Sequence, residues 1–286
     1  PQGSAHPCRI WGVLLASRPP LRSEMPQASA LLNVMIAAAR KAARSLSRDF
    51  GEVENLQVSR KGPSDFVSSA DIKAEKTLFE ELSKARPGYG FVMEERGVVE
   101  GTDKTNRWLV DPLDGTTNFL HGIPHFAISI ALEREGVLVA GVIYNVVRDE
   151  LFWAERGQGA YLNDRRLRVA GRADMRDALF GCGTPFHGKA GHDVALAEIG
   201  RVIDKTAGVR RLGAAALDLA YVAAGRFDGF WERNLNIWDI AAGAVLVREA
   251  GGVVNEIDGG DFMKTGAVVA SNNSLIAQLT QTVRSS

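Results

Sequence analysis

Cysteine is almost missing from this chain: among 286 residues only Cys8 and Cys182 occur. Two thiols cannot build a disulfide framework, so a packed core has to carry the fold, and such sparing use fits a reducing cytoplasm. No apolar run approaches the roughly 18 residues that cross a membrane. Neither sign of charge is in excess, because 34 basic residues balance 34 acidic ones and the formal net charge is +0. That excludes a global basic field for nucleic acid or acidic lipid and leaves only local patches. Internal repeats and low-complexity tracts are also lacking. What is present is an ordinary globular balance, 45% hydrophobic and 24% charged, on a length that suits one large domain or two closely packed ones.

Residues 1–24 stand apart. They carry prolines beside a short apolar patch, Ile10 to Ala16, which weakly imitates a secretory signal but lacks well-placed cleavage-like residues. They are expected to form an N-terminal extension, with Met25 as a natural start ahead of the first helix. From Ser29 to about Phe50, Leu31, Leu32, Met35, Ala38, Ala39, Ala42 and Leu46 recur at helical spacing. A second helix is expected after Asp71, with Ile72, Leu78, Phe79 and Leu82 inward and Lys73, Glu75, Glu80 and Glu81 outward. The intervening SRKGPSDFVSSAD predicts a loop or irregular hairpin. The period then changes to two over 126–132, 137–146, 150–154 and 159–163, which predicts an antiparallel sheet. Beyond about Arg172, strand-like and helical stretches alternate in an α/β manner, with helices near 192–206, 214–225, 237–250 and at the C-terminus. Residues 25–172 are therefore expected to form an α+β half and residues 173–286 an α/β half, the two sharing one site.

The densest signal is WLVDPLDGTTNF, from Trp108 to Phe119. An apolar strand, a proline turn and one capping aspartate would use Asp111 or Asp114, not both. Pro112 fixes the backbone between them, and Leu113 offers a carbonyl at the same bend. Converging carboxylates repel unless a cation lies between them, and hard oxygen donors of this kind suit magnesium. Gly115, Thr116 and Thr117 follow at an expected helix start, where backbone N–H groups favour phosphate. Further acids stand at strand ends and in loops: Asp65, Asp71, Glu94, Glu95, Glu232 and Asp239.

In these blocks the chain resembles the inositol monophosphatase family, most closely its bacterial SuhB-type branch. WLVDPLDGTTNF is similar to the family's central metal-binding motif and WDIAAGAVLVREAGG, residues 238–252, to its C-terminal signature; KGPSDFVSSAD and the Glu94-Glu95 pair match its two upstream blocks. The resemblance implies a layered αβαβα sandwich of the inositol monophosphatase and fructose-bisphosphatase type. It also implies two to three magnesium ions per site, held by Glu94, Asp111, the Leu113 carbonyl, Asp114 and Asp239. Catalysis falls to Glu94, Thr116 and Asp71, which orient and activate the attacking water, and the Gly115 and Thr116 amides cradle phosphate. Asp114, Gly213, Ala215, Glu232 and Asp239 fall where the family meets the substrate's hydroxyls. The implied reaction is hydrolysis of myo-inositol monophosphate or a similar polyol phosphate, with lithium sensitivity, a cytoplasmic homodimer and no membrane partner. The family fold also hosts fructose-bisphosphate, nucleotide-bisphosphate and histidinol-phosphate hydrolysis, and the SuhB-type branch includes partners of the transcription machinery.

Other signals are weaker. Cys182 lacks the following run and arginine of a phosphocysteine loop and reads as a small buried residue. GCGTPF has Phe186 in place of the third glycine of a dinucleotide fingerprint. His121 and His125 are four apart, but Gly122 and Pro124 spoil a helical zinc face, so a satisfied loop histidine is expected. Trp231 and Trp238 read as core, and Arg210-Arg211 as a solvated turn, phosphate contact or subunit contact. Met93, Ser68 and Ala214 depart from common family residues without removing a ligand, while Thr184, Pro185, Phe186, Ala214 and Arg233 are expected to border the alcohol side.

Overall fold

The computed structural model describes residues 28–52, 58–62 and 65–284. The extension at 1–24, Met25 and Cys8 lie outside the described residues. Helix α1 (Ala30–Gly51) forms where the apolar stripe predicts it, with Ser29 capping the Leu32 N–H at 3.2 Å. In the turn-rich stretch after it, β1 (Val58–Gly62) pairs antiparallel and with an irregular register with β2 (Asp65–Ser68), and β2 leads into α2 (Ser69–Ala85). Helix α2 starts two residues before Asp71, and its inward face differs from the expected one. Ile72 is 56% exposed, whereas Glu75 is 3% exposed beside buried Asp71, Ala74, Leu78 and Leu82. Those buried positions recur at i, i+3, i+4, i+7, so α2 turns a stripe containing two acids toward the protein.

Among the described residues, eight strands make the large sheet. They are β3 (Tyr89–Met93), β4 (Gly97–Val99), β5 (Asp103–Asp114), β6 (Ala127–Arg134), β7 (Val137–Asn145), β8 (Glu150–Glu155), β9 (Gly159–Leu162) and β10 (Arg165–Arg166), in spatial order β10-β9-β8-β7-β6-β5-β3-β4. The expected antiparallel pairing holds from β6 to β9 and continues to β5 on one side and β10 on the other, but β3 runs parallel to β5. Strand β4 folds back on the outer edge of β3, so the chain returns on the other side of β3 in the same direction.

After a short helix α3 (Thr116–Leu120), the second half supplies β11 (Leu179–Cys182), α4 (His192–Ile203), β12 (Gly208–Arg210), α5 (Ala215–Ala223), β13 (Gly229–Glu232), α6 (Ile237–Glu249), β14 (Val253–Glu256), α7 (Phe262–Thr265), β15 (Val268–Ser271) and α8 (Ile276–Arg284). Its five strands form a mixed sheet in the order β12-β11-β13-β15-β14. Helices α1 and α2 cover one face of the large sheet, α5 and α6 lie between the two sheets, and α4 with α8 covers the outer face of the small one. This is the αβαβα sandwich. Its hydrophobic groups follow the layers: one lies under α1 and α2, one surrounds α5 and α6, and one lies under α4 and α8. Gly243 of α6 lets α5 approach closely, since a Cβ there would lie 2.4 Å from that of Leu219. Among the described residues no helix is long and apolar enough to cross a membrane.

Candidate active site

The C-terminal end of β5 aims both motif aspartates the same way. In a regular strand, residues three apart face opposite sides of the sheet. Here Asp111 pairs with Ser129 and Asp114 with Ala127, so three steps on β5 oppose two on β6. The extra residue is a β-bulge, placed where Pro112 has no N–H to give the ladder, and it returns Asp114 to the face of Asp111. That face looks toward α6, whose Trp238 carbonyl accepts from the Ser129 hydroxyl at 3.1 Å.

Each acid is then fixed by a backbone N–H. Asp111 Oδ1 accepts from Leu113 at 2.8 Å, Asp114 Oδ2 from Ala216 at 2.8 Å and Asp239 Oδ2 from Asn236 at 2.7 Å. The second of these bonds joins the halves of the chain, because Ala214, which precedes α5, gives that helix no side-chain cap and Asp114 takes over the task. Asp239 lies in the first turn of α6. Glu94 follows the end of β3, and its N–H donates to the Val110 carbonyl of β5 at 3.3 Å. The four acids thus come from the ends of β3 and β5 and the start of α6, around the N-terminus of α5.

Their electrostatics agree with that convergence. Burial pushes the Asp111 carboxyl well above the usual range, and the neighbouring Glu94, Asp114 and Asp239 charges push it further. Asp114 rises to about 7, through burial and the Glu94 charge, and Asp239 rises to about 7, through burial and the Asp114 charge. Glu232, at the end of β13, rises to about 8 through burial with Asp239 and Asp114 adding, while Arg211 opposes the shift. Among the described residues no three of the acidic, imidazole or thiol side chains stand close enough to form a finished metal cage. The donor set still fits magnesium, which keeps several waters and takes one or two carboxylates together with substrate phosphate. Oxygen-only donors whose dominant neighbours are other carboxylates are what a divalent cation would relieve.

A pH dependence follows. A carboxyl that is more basic in the folded protein contributes stability that is complete below about pH 4, its unfolded value, and is lost as pH rises through its folded value. For Asp114, Asp239 and Glu232 that loss runs up to about 7 to 8. The metal-free protein is therefore expected to melt at lower temperature at about pH 8.5 than at about pH 5.5, with magnesium raising the midpoint more at the higher pH because it binds the ionised form. Calorimetric scans with and without magnesium check this; an increment independent of pH would contradict it.

Behind the acids lies a second hydrogen-bonded group. Gly115 takes a left-handed conformation, φ 92°, and starts α3 at Thr116, as the sequence predicts. Thr116 Oγ1 lies 3.1 Å from Asp71 Oδ1 and 3.0 Å from the Leu113 carbonyl. Asp71 is wholly buried, which raises its carboxyl, and its Oδ2 accepts from both the Ser68 N–H at 2.9 Å and the Ser68 hydroxyl at 2.5 Å. On the opposite side, Gly213 has φ 83° and Ala215 opens α5. Asn118 ties this turn to α3, since its Nδ2 donates to the carbonyls of His125 at 2.8 Å and Leu212 at 2.9 Å. Sequence reasoning missed Asn118, although it belongs to the quoted motif, and it missed Asp218, a buried acid of α5 whose Oδ1 has no hydrogen-bond partner.

The discarded signals resolve variously. Cys182 is buried and its thiol is pushed up to about 12 by burial and the Glu232 charge, so it is no thiolate nucleophile. His125 is not satisfied as expected: its Nε2 has no partner, and burial lowers its pKa to about 4, keeping the ring neutral. Trp231 is core. Arg211 is exposed and donates to Thr184 Oγ1 at 3.2 Å, while Arg233 is tied to Glu198 at 2.6 Å and Asp258 at 2.5 Å.

Comparison with known proteins gives the family. The inositol monophosphatase family matches residues 27–286. An inositol-1-monophosphatase of Mesorhizobium japonicum is 65% identical over 90% of this chain and 97% of its own length. The Nus factor SuhB of Pseudomonas aeruginosa is 45% identical over 89% of this chain and 96% of its own. The crystal structure of the extragenic suppressor protein SuhB from Bartonella henselae superposes with a TM-score of 0.87 at 57% identity, covering 90% of this chain and 99% of that one. With a layered sandwich, an acidic cluster at the bulged end of β5 and a match over nearly its whole length, the chain belongs to the inositol monophosphatase family and is a phosphatase.

Proposed function

We propose that the protein hydrolyses myo-inositol monophosphate, or a polyol phosphate of similar shape, to the alcohol and inorganic phosphate with the help of magnesium. The observation that carries this is the convergence of Asp111, Asp114 and Asp239 with Glu94 in one electrostatic field at the start of α5 and α6. Glu94, Asp111, the Leu113 carbonyl, Asp114 and Asp239 are the groups that would hold two ions, with Glu94 serving a weaker third. Bound magnesium supplies charge neutralisation of the phosphoryl oxygens and a water acidic enough to attack near neutral pH. The chain's own part is to position. The Gly115 and Thr116 amides face the phosphate, the Thr116 hydroxyl and Glu94 orient the water, and Asp71 fixes the Thr116 proton. Glu232, Asp239, Gly213 and Ala215 take the hydroxyls of the alcohol, with the N-terminal half supplying the phosphate end and the C-terminal half the alcohol end.

The experiment is phosphate release from a panel of inositol, sugar, nucleotide and histidinol phosphates with magnesium, using the Asp114→Asn chain as control. Hydrolysis of inositol monophosphate well above the panel supports the proposal; equal rates by both chains overturn it. Similarity to a Nus factor favours a second role, contact with the transcription machinery. Full complementation of a deletion by the inactive chain would make that role primary.

The alcohol side yields a separate expectation. A Cβ on Gly183 would lie 1.8 Å from Glu232 Cδ, so the missing side chain is what lets this carboxylate lie across the strand end. Gly183→Ala should displace Glu232 and raise KM about tenfold, the worth of about one hydrogen bond, with kcat and magnesium dependence nearly unchanged. Steady-state kinetics on the two chains decide it, and an unchanged KM would remove Glu232 from the substrate contacts.

A further inference from the structure

We propose that Glu75 is a positioning residue for Glu94: buried on α2 one turn after Asp71, its Oε2 accepts the Glu95 N–H at 2.8 Å and fixes the turn from which Glu94 reaches the acidic cluster. The inference rests on the proposed role of Glu94 as a metal ligand and extends it to a residue outside the cluster.

The geometry leaves Glu75 little else to do. A glutamate 3% exposed is costly unless its oxygens are bonded. One oxygen takes the Glu95 N–H, and the other lies 3.9 Å from Arg96 Nε, with the Arg96 guanidinium 4.4 Å above the Phe79 ring of the same helix. Residues 94–96 form the turn between β3 and β4, which Gly97 closes in a left-handed conformation, φ 75°. Upstream, the turn is held by the Glu94 N–H on Val110; downstream, it is held from α2. Glu94 therefore has a fixed backbone on both sides, and its charge is the first among those that raise Asp111. Because Asp71 and Glu75 stand one turn apart on the same buried stripe, α2 anchors the Thr116 hydroxyl and the Glu94 turn together.

Two substitutions separate reach from charge. Glu75→Gln keeps an oxygen for the Glu95 N–H and loses the charge; Glu75→Asp keeps the charge and withdraws the oxygen by one methylene. Magnesium is titrated calorimetrically into the substrate-free full chain, well below its melting point, alongside thermal melts. Positioning predicts that Glu75→Gln binds magnesium within about threefold of the original chain and that Glu75→Asp binds about 10-fold to 100-fold more weakly, the usual range for groups that orient ligands. The magnesium concentration for half-maximal activity should shift in parallel. Weak binding by Glu75→Gln with normal binding by Glu75→Asp would mean the charge acts directly and overturns the inference. Lowered melting points with unchanged affinity in both variants would make Glu75 merely structural, which also overturns it. Glu94→Gln separates the underlying proposal: unchanged affinity there removes Glu94 as a ligand, and with it the inference, whereas lost affinity there beside a normal Glu75→Asp overturns the inference alone.

Discussion

Asp114→Asn is expected to yield a folded protein whose magnesium-dependent phosphate release falls by about 10³-fold or more. Asparagine keeps an oxygen for the Ala216 N–H, the 2.8 Å bond through which residue 114 caps α5, so the junction of the two halves survives. What is lost is one negative charge at the place proposed to be shared by two ions. Metal stabilisation of a phosphoryl transition state is worth several kcal/mol, and each 1.36 kcal/mol is a factor of ten. Stability should move the other way. Asp114 is raised to about 7 by burial and by the Glu94 charge, and it helps to raise Asp239 and Asp111, so removing its charge relieves repulsion in the metal-free protein. At about pH 8.5 the metal-free variant should melt at or above the original chain, and magnesium should raise its midpoint far less. Phosphate release and thermal melts, each as a function of magnesium, test both halves; undiminished turnover, or an undiminished magnesium shift, would contradict the two-ion site.

How much of this was legible in the sequence depended on how local the cause was. Strands β6 to β9 and helices α1, α4, α5 and α6 form within a few residues of their expected bounds, because each carries its own periodic pattern. The start of α3 was legible for a local reason too: Gly-Thr-Thr follows the strand directly, and Gly115 takes the left-handed conformation that glycine adopts at no steric cost. The parallel pairing of β3 with β5 was not, since it depends on a three-residue β4 occupying the other edge. Nor was the bulge at Pro112, which needs the partner register on β6, although it alone explains how aspartates three apart share a face. Glu232 and Asp239 stand at the end of β13 and in the first turn of α6, where ordinary capping accounts for an acid, and only resemblance to the family singled them out. Glu75 was misplaced for an instructive reason. Counting charges outward put it on the solvent side of α2, but the helix buries the stripe that carries Asp71 and Glu75 and exposes Ile72 instead.

Thr116→Ala and Asp71→Asn are each expected to lower kcat by about 10²–10⁴, the usual worth of positioned acid–base help, with magnesium affinity nearly unchanged. The Thr116 hydroxyl has one proton and two acceptors within reach, Asp71 Oδ1 at 3.1 Å and the Leu113 carbonyl at 3.0 Å. Asp71 Oδ2 is already engaged by Ser68, so Oδ1 is the atom that remains for Thr116. If a bound cation engaged the Leu113 carbonyl, as proposed, the Thr116 proton would go to Asp71 and a threonine lone pair would be left for the water. Asp71 also closes the capping box of α2 with Ser68, so Asp71→Asn should cost about 1 kcal/mol of stability as well, through the weakened cap. Thr116 has no part in that cap, and its variant should lose rate without a comparable drop in melting point. A single relay predicts that the double mutant loses little beyond the worse single one. Single-turnover rates and melts on the three variants distinguish this from simple capping. Rates that multiply in the double mutant would mean two independent contributions, and normal rates with lowered melting points would leave Asp71 as a helix cap and nothing more.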